Sequence, residues 1–362
     1  MKSFRILLLA LLSLTVFVSC DDTKEKDLEV VDSAQLLVSF KTPDLDNLWG
    51  PDWKDEWQYS WDTNDTTYGP LGYTVPEIIK GTIYNIDTKA GKRLNSFLKI
   101  FDLKGSKVLL PAGTGYDMLF YNMGTENIIF DASIDFEKYT ASTIITPYGV
   151  DFLGVPYKHL DEPDELLGAM VTDVDFGNAP SDYEKETDAD GNVCYIRNID
   201  VELNPYSIIY LIQVVFLNND DDKEFQAIGA SEISITGLSQ GVELFSRKTF
   251  DKTIMITTED VKPLQNHSNV HLEDGTVVEK ADILAARMLT WGFPDINPME
   301  LSKDGTKAAV RHQNYIGIRV MGRGGHVYYI TNDITDQIRN KPAGGVLTVC
   351  VDVNDIGFIL DY

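Results

Sequence analysis

The chain has 362 residues, of which 43% are hydrophobic and 24% charged, with 27 Gly and 14 Pro. This balance is that of a globular protein and excludes a disordered or collagen-like chain, and the length predicts roughly two domains. Asp and Glu outnumber Lys and Arg by 56 to 31, and the net charge of −25 repels phosphate backbones, which argues against nucleic-acid binding.

The N-terminus predicts an export signal that ends in a lipid-attachment site. Lys2 and Arg5 precede the apolar segment Ile6–Val18, which is shorter than the ~20 residues of a membrane-spanning helix and typical of a signal peptide. A small residue before Cys20 and an acidic run after it resemble a bacterial lipobox, in which the Cys is acylated and becomes the new N-terminus. We therefore expect a signal peptide over 1–19 and lipidation of Cys20, since two or three acyl chains anchor a protein stably. The alternative is an incidental Cys after an ordinary signal.

Beyond a charged tether over 20–33, short segments with alternating apolar residues dominate the first half of the chain. They are separated by Gly, Pro, Asn or Asp and lie at 35–40, 81–87, 97–101, 107–110 and 116–121. This spacing predicts the short strands of a β-sandwich. Helical patterns are limited to 164–170 and 280–289, and neither segment is long enough to determine the fold.

An acidic stretch over 160–192 predicts a junction, and strand patterns resume after it. The segment 206–217 is almost continuously apolar, which favours a central strand buried on both faces. Alternation within 316–330 predicts a hairpin. We therefore predict an all-β chain of two tandem antiparallel sandwiches, with domains over 34–165 and 166–362.

Segments in both halves resemble fimbrillin-like lipoproteins of Bacteroidetes. Leu110–Phe130 combines a Pro-Ala-Gly strand end, a strand closing on Tyr-Asn and a Thr-Glu turn. Ile233–Gly241 resembles the Thr-Gly turn of that family, and Tyr329–Ile338 resembles its closing element. The resemblance implies transthyretin- or immunoglobulin-like sandwiches on the cell outer membrane, exposed at the surface. It also implies a fimbrial anchor, a tip or an adhesion component, with no catalysis and no cofactor.

The resemblance further implies fimbrial subunits as partners, joined by strand addition after a protease cuts at an Arg near the N-terminus. Between Cys20 and Lys92 this chain has no Arg, and the first one after the lipidation site is Arg93. We therefore expect the strand around Leu36–Phe40 to be retained. The protein would then stay tethered as an anchor, a cap or a stand-alone surface protein.

Most of the tryptophans crowd into one acidic segment, as Trp49, Trp53, Trp57, Tyr59 and Trp61 follow one another closely. Exposed aromatic rings stack on sugars or anchor protein interfaces. The segment is therefore a candidate ligand or partner surface, and it supports an alternative function: a glycan-binding lipoprotein of a polysaccharide uptake system. The competing interpretation is that the rings close one end of the first sandwich.

Two motifs could indicate catalysis or a metal site. The segment 237–241 matches the G-x-S-x-G nucleophile elbow around Ser239, but strand-like residues follow where that motif requires a helix. A hairpin turn is the better interpretation. His267 and His271 have a spacing that suits a metal site on a helix, yet the Pro, Asn and Ser around them favour an exposed loop.

Calcium and disulfide sites are also considered. Oxygen-rich turns at 188–192 and 218–222 could bind calcium, although Arg197 stands where an EF-hand loop needs Glu. The favoured interpretation is a solvated turn, so we expect no metal. Cys194 and Cys350 either pair, as exported proteins allow, or remain free thiols.

Overall fold

The computed structural model describes residues 29–58, 69–87, 91–103, 106–131, 138–143, 149–150, 156–157, 159–218, 231–272, 275–294, 313–321 and 327–355. Strands dominate these residues, and the α-helices are short. No helix among the described residues combines the length and apolar character needed to cross a membrane.

Among the described residues, fourteen strands precede residue 206: β1 (Ser33–Lys41), β2 (Ile78–Asp87), β3 (Lys92–Asp102), β4 (Lys107–Pro111), β5 (Thr114–Asn122), β6 (Ile128–Asp131), β7 (Thr140–Thr143), β8 (Gly149–Val150), β9 (Pro156–Tyr157), β10 (His159–Leu160), β11 (Leu167–Phe176), β12 (Glu184–Thr187), β13 (Val193–Glu202) and β14 (Asn204–Pro205). Nine follow: β15 (Ile208–Leu217), β16 (Glu232–Ser239), β17 (Gly241–Glu243), β18 (Thr253–Thr258), β19 (Val261–His271), β20 (Val277–Thr290), β21 (Tyr315–Met321), β22 (Val327–Asp333) and β23 (Gly345–Asp352). The helices are α1 (Leu45–Trp49), α2 (Trp53–Glu56) and α3 (Thr335–Asn340), with 3₁₀ turns at Pro180–Asp182 and Val353–Asp355.

The first sandwich packs a four-stranded sheet (β12-β13-β1-β4) against a five-stranded sheet (β14-β11-β5-β2-β3). β1 lies inside its sheet, parallel to β13 and antiparallel to β4. Its alternate residues Ala34, Leu36, Val38 and Phe40 are all buried, because every second side chain of a strand faces the partner sheet. This apolar set fixes the register, since a slip of one residue would turn it outward.

The second sandwich packs a five-stranded sheet (β10-β18-β16-β21-β22) against a four-stranded sheet (β19-β20-β15-β23). β15 lies between β20 and β23, and every residue from 209 to 216 is buried. The central strand predicted over 206–217 is therefore confirmed, as are the hairpin of β21 and β22 and the all-β sandwich class. Each sandwich joins an early strand to a late one in parallel: β1 to β13, and β15 to β23.

The boundary predicted between residues 165 and 166 lies too early. β11, β12 and β13 all follow it, yet they pair within the first sandwich, which therefore extends to about residue 205. The acidic stretch 160–192 that suggested a junction contains β11 and β12, and only its first part, 161–166, lies where the chain passes between the sandwiches. The two predicted helices are also wrong, since 164–170 leads into β11 and 280–289 lies within β20.

The chain crosses between the sandwiches before the first one is complete. β7, from the first half, pairs with β17 from the second half in a three-stranded sheet, β17-β7-β6. β10 pairs in parallel with β18, and the chain then returns to the first sandwich through 161–166. Backbone pairing therefore joins the two sandwiches at two separate places.

Three carboxylates of the return segment 161–166 hold it in place by accepting hydrogen bonds from residues elsewhere in the chain. Glu162 accepts from the Leu289 backbone N–H at 2.9 Å. Asp164 accepts from the backbone N–H groups of Glu126 and Asn127, each at 2.6 Å. Glu165 accepts from the Thr74 backbone N–H at 2.6 Å. The acidity of 161–166 thus has a structural role at the junction.

Replacing Glu162 by Gln is expected to stabilise the protein at neutral pH. Burial raises the pKa of the Glu162 carboxyl, against the opposing effect of hydrogen bonds from Leu289 and Thr258. A carboxyl group whose pKa is higher in the folded than in the unfolded protein stabilises the fold at pH values below its unfolded-state pKa. This stabilisation is lost as the pH rises through the folded-state pKa. Glu162→Gln keeps an oxygen for Leu289 and removes the buried charge, so its melting temperature should exceed that of the wild type at pH 8 and lose this advantage at pH 4.

Thermal unfolding at the two pH values tests this, with Glu77→Gln as the matched control because Glu77 is exposed. A melting-temperature difference that is independent of pH, or that matches the control, would contradict the prediction.

Candidate interaction surfaces

The aromatic segment packs on the second sandwich, not at an end of the first. Residues 42–58 and 69–73, which lie between β1 and β2 and are here called the strap, cover the outer face of the sheet that contains β15. Trp53 and Trp57 are each 5% exposed. The residues of that outer face which form one cluster with them include Ile209, Leu211, Val215, Ile283 and Val346.

A buried amide at the centre of this apolar face explains how the strap is positioned. Gln213 on β15 is 1% exposed, and its Nε2 donates to the Glu56 carbonyl and to Thr348 Oγ1, each at 2.8 Å. Its Oε1 accepts from the Gln58 backbone N–H at 3.3 Å. A buried polar group without partners is costly, so the backbone of the strap completes a site that the sheet leaves unsatisfied.

Further polar contacts fix both ends of the strap. Trp49 Nε1 donates to the Ala343 carbonyl at 2.9 Å. The next residue, Gly344, has a φ of +94°, and a Cβ there would lie 2.2 Å from the Ile209 carbonyl oxygen, so the close approach requires glycine. At the other end, Arg287 donates to the Leu71 carbonyl at 3.0 Å and forms an ion pair with Glu165 at 2.5 Å.

This placement leaves little of the aromatic segment for a ligand. The rings of Trp53 and Trp57 are used in packing, and Trp49 is half-buried. Tyr59 and Trp61, together with Cys20, lie outside the described residues. The competing idea of a plug in the first sandwich also differs from the structure, because the rings cover the second sandwich.

Ser239 does not have the surroundings of a nucleophile. It is fully buried at the end of β16, and its hydroxyl lies 2.9 Å from the Gly241 carbonyl oxygen and 3.0 Å from that of Phe250. Gly237, with a φ of +75°, lies within a register shift of β16. The expected hairpin turn is therefore a bulge followed by a corner, where the chain passes to the sheet of β17.

The residues considered as metal ligands, although no metal was expected, lie on a strand and in a turn. His267 and His271 lie on β19, not in the expected loop. Asp188 accepts from the backbone N–H of Asn192 at 2.8 Å, and this bond is the main reason that the pKa of Asp188 is lowered. Within the described ranges, no group of three or more His, Cys, Asp or Glu side chains is placed to hold a metal. Residues 219–222 lie outside them.

The two cysteines lie in separate sandwiches and are not joined by a disulfide. Cys194 lies on β13 and Cys350 on β23. Of the two possibilities left open by the sequence, the structure has the one without a disulfide.

A shallow cleft of about 320 Å³ opens beside β11 and β13. Arg247 lines it, with its guanidinium carbon 5.0 Å from the ring centroid of Tyr206 and its Nη2 donating to the Pro205 carbonyl at 2.6 Å. Burial raises the pKa of Tyr206 to about 12. The phenol of Tyr206 also donates to the Leu244 carbonyl at 2.6 Å, so both the cation and the phenol are held in internal contacts.

The sheet edges differ in how they are protected. At the edge strand β23, the Gln337 side chain donates to the Thr348 carbonyl at 2.9 Å and accepts from the Thr348 N–H at 3.2 Å, so one amide takes the place of a neighbouring strand. β12 exposes four polar residues. β3 differs from both, because it is long and carries exposed apolar residues. The alternating residues predict a strand at 97–101 but not its role, since only the sheet order shows that it lies at an edge.

Comparison with known proteins supports the fold. No family model and no curated protein sequence matches the chain, whereas solved structures do. A candidate adhesin from Bacteroides ovatus aligns over 92% of this chain and 93% of its own length, with a TM-score of 0.50 and 16% identity. A candidate adhesin from Bacteroides thetaiotaomicron covers 91% and 94%, with a TM-score of 0.45 and 8% identity. The alignment with the fimbrial anchor protein Mfa2 from Porphyromonas gingivalis covers 88% of this chain and 90% of that protein, with a TM-score of 0.38 and 9% identity. The chain thus shares the fold of a Bacteroides candidate adhesin, which confirms the fimbrillin-like resemblance at the level of the fold.

Proposed function

We propose that the protein is a non-catalytic lipoprotein of the bacterial outer membrane that acts at the cell surface as a fimbrial anchor, a fimbrial tip or an adhesion component. The observation that carries this proposal is the fold shared with a Bacteroides ovatus candidate adhesin over 92% of the chain. The lipobox at Cys20 supplies the attachment. The burial of Trp53 and Trp57 weighs against the glycan-binding alternative.

The architecture supports a role that bears mechanical load. An anchor or adhesin must transmit force from its attachment point to its partner. Here β1 lies between β13 and β4, and the strap that follows it is bound to the second sandwich. Within the described residues, a pull on β1 therefore reaches the first sandwich through the paired strands and the second through the strap.

Retention of β1 is part of the proposal. Arg93, the first Arg after Cys20, lies on β3, and its guanidinium forms an ion pair with the buried carboxyl of Asp117 at 2.7 Å. Proteolytic cleavage concentrates at exposed loop tips, whereas Arg93 lies within β3, where it pairs with Ile86 of β2. The protein would then keep β1 and join fimbrial subunits through strand addition at a sheet edge.

Replacing Cys20 by Ala is expected to abolish acylation and release the protein from the outer membrane, because the lipid is the proposed attachment. Labelling of growing cells with an alkyne fatty acid, followed by membrane fractionation, measures both effects. Cys194→Ala is the matched control and should keep the label. A labelled Cys20→Ala protein, or a native N-terminus near residue 41, would contradict the proposal.

The surface role is tested with a strain that lacks the protein. We expect its fimbriae to be shed into the medium, or its adherence to host cells and neighbouring bacteria to fall. The wild-type protein should restore the phenotype and Cys20→Ala should not. A null strain with unchanged fimbriae and unchanged adherence would overturn the proposed function.

A further inference from the structure

In the part of the chain that the structure describes, β3 has a pairing partner on one side only. It pairs with β2 from Ile78↔Asp102 to Asp87↔Lys92 and ends the five-stranded sheet. Among the described strands, none pairs with its other side. An edge strand of this length presents a row of unpaired backbone N–H and C=O groups.

Apolar side chains accompany these open backbone groups. Leu94 is 59% exposed, Phe97 40%, Leu98 61% and Ile100 49%. Leu98 and Ile100 are two residues apart, so they point to the same face of the sheet. An exposed, apolar edge strand either aggregates or is covered by a partner. The protein therefore needs an occupant for this edge.

The charge of β3 indicates the kind of occupant. Lys92 and Lys99 are exposed on this strand, whereas the chain as a whole has a net charge of −25. A second copy of β3 paired antiparallel about Ser96 would place Lys99 opposite Arg93, and like charges in opposite positions destabilise strand pairs. Acidic side chains on the incoming strand would instead be attracted to both lysines.

We propose that β3 binds an extended polypeptide segment of another protein, in which acidic and apolar residues alternate, as an additional strand of the five-stranded sheet. Backbone hydrogen bonds along β3 give the affinity, and the side chains that flank the strand select the partner. The register shift of β3 between Arg93 and Ser96 puts Lys92 on the same face as Lys99, opposite to Leu98 and Ile100. The acidic residues therefore meet the two lysines, while the apolar ones cover Leu98 and Ile100. This inference gives a location to the strand addition proposed above and rests on that part of the proposed function.

Fluorescence anisotropy with the full-length protein in detergent micelles tests the inference. The probes are three labelled peptides of about ten residues: alternating Glu and Val, alternating Lys and Val, and the Glu peptide with a central Pro. We expect the Glu peptide to bind about tenfold more tightly than the other two, because a Pro removes a backbone donor and like charges repel. Hydrogen exchange of the β3 amides should slow when the Glu peptide is bound.

Two variants of β3 make the test specific. Leu98→Asp should weaken the binding of the Glu peptide about tenfold, since it places a negative charge, of the same sign as the charges of the peptide, in the proposed contact. Leu98 is exposed enough for the fold to tolerate the change. The charge reversal K92E/K99E should instead invert the preference towards the Lys peptide. Tyr329→Asp is the matched control, because Tyr329 lies on β22, an exposed edge of the other sandwich. It should leave binding unchanged.

Several results would overturn the inference. These are equal binding of the three peptides, an unaltered preference in K92E/K99E, or self-association in sedimentation that Leu98→Asp abolishes, which would identify a second copy as the occupant. The assay uses purified protein, so its failure leaves the acylation and adherence results intact. Failure of those cell-based tests would likewise leave peptide binding measurable.

Discussion

Replacing Trp53 by Ala is expected to lower the free energy of unfolding by about 3–5 kcal/mol, the usual cost of deleting a buried aromatic side chain. The Trp53 ring is 5% exposed on the outer face of the second sandwich. It meets Trp49 edge to face, with 5.5 Å between centroids, and its Nε1 donates to Asp46 Oδ1 at 2.8 Å. The variant loses these contacts and leaves a cavity above β15.

Urea unfolding followed by circular dichroism measures the change for Trp53→Ala. Tyr329→Ala is the control, because Tyr329 is 38% exposed and its loss should alter stability little. Hydrogen exchange should also show faster exchange of the β15 and β23 amides in Trp53→Ala. A stability change no larger than that of the control would mean that the strap does not rest on the sheet in solution.

Replacing Arg287 by Met is expected to destabilise the fold by about 3–5 kcal/mol, the range found when one partner of a buried ion pair is removed. The side chains of Arg287 and Glu165 are 16% and 19% exposed, and their charged atoms lie 2.5 Å apart. Arg287 also donates to the Leu71 and Gly72 carbonyls at 3.0 and 3.1 Å. The variant leaves a partly buried carboxylate and two carbonyls without their donor.

The double variant R287M/E165Q separates the charge from the packing. It removes the unpaired carboxylate, so it should recover part of the stability lost in R287M. Lys54→Met is the control, because its ion pair with Asp46 is exposed at 58% and 50% and should matter little. Equal stability of the single and double variants would contradict a role for the buried charge pair.

The strands that the sequence predicts best are those whose own residues determine their environment. The long apolar run of β15 allows hardly any position other than the centre of a sheet. The alternating residues of β1 likewise leave one face for the core, and both strands are found as predicted. In each case a local pattern is enough, because the side chains themselves specify which faces are buried.

The segment 280–289 shows where local reasoning fails. Its Ala, Leu, Lys and Met residues favour a helix in isolation. In the structure, however, β20 lies between β19 and β15 and forms backbone hydrogen bonds with both strands. Tertiary pairing therefore overrides intrinsic preference. The signal against a helix is that the charged residues between Ala281 and Leu289, Asp282 and Arg287, would lie about 140° apart around a helix and so form no continuous polar face for solvent.

The strap could be recognised from sequence but not placed. Its tryptophans stand out in composition, but their environment depends on distant residues. Gln213 is 157 positions from Glu56, and Ala343 is 294 positions from Trp49. No periodicity encodes such contacts. The domain boundary was misplaced for the same reason, since the pairing of β13 with β1 is equally remote in sequence.

The parallel pairing of β1 with β13 has a consequence for biogenesis. Ser39 and Asp200 lie 161 positions apart, so β1 waits for its neighbour during synthesis for roughly 10–30 s at 5–20 residues per second. Contacts this remote also close slowly, because loop entropy is lost before they form. Until β13, β15 and β23 have been made, the apolar side of β1 and the indoles of the strap stay uncovered. The growing chain therefore exposes aggregation-prone apolar surface throughout that interval.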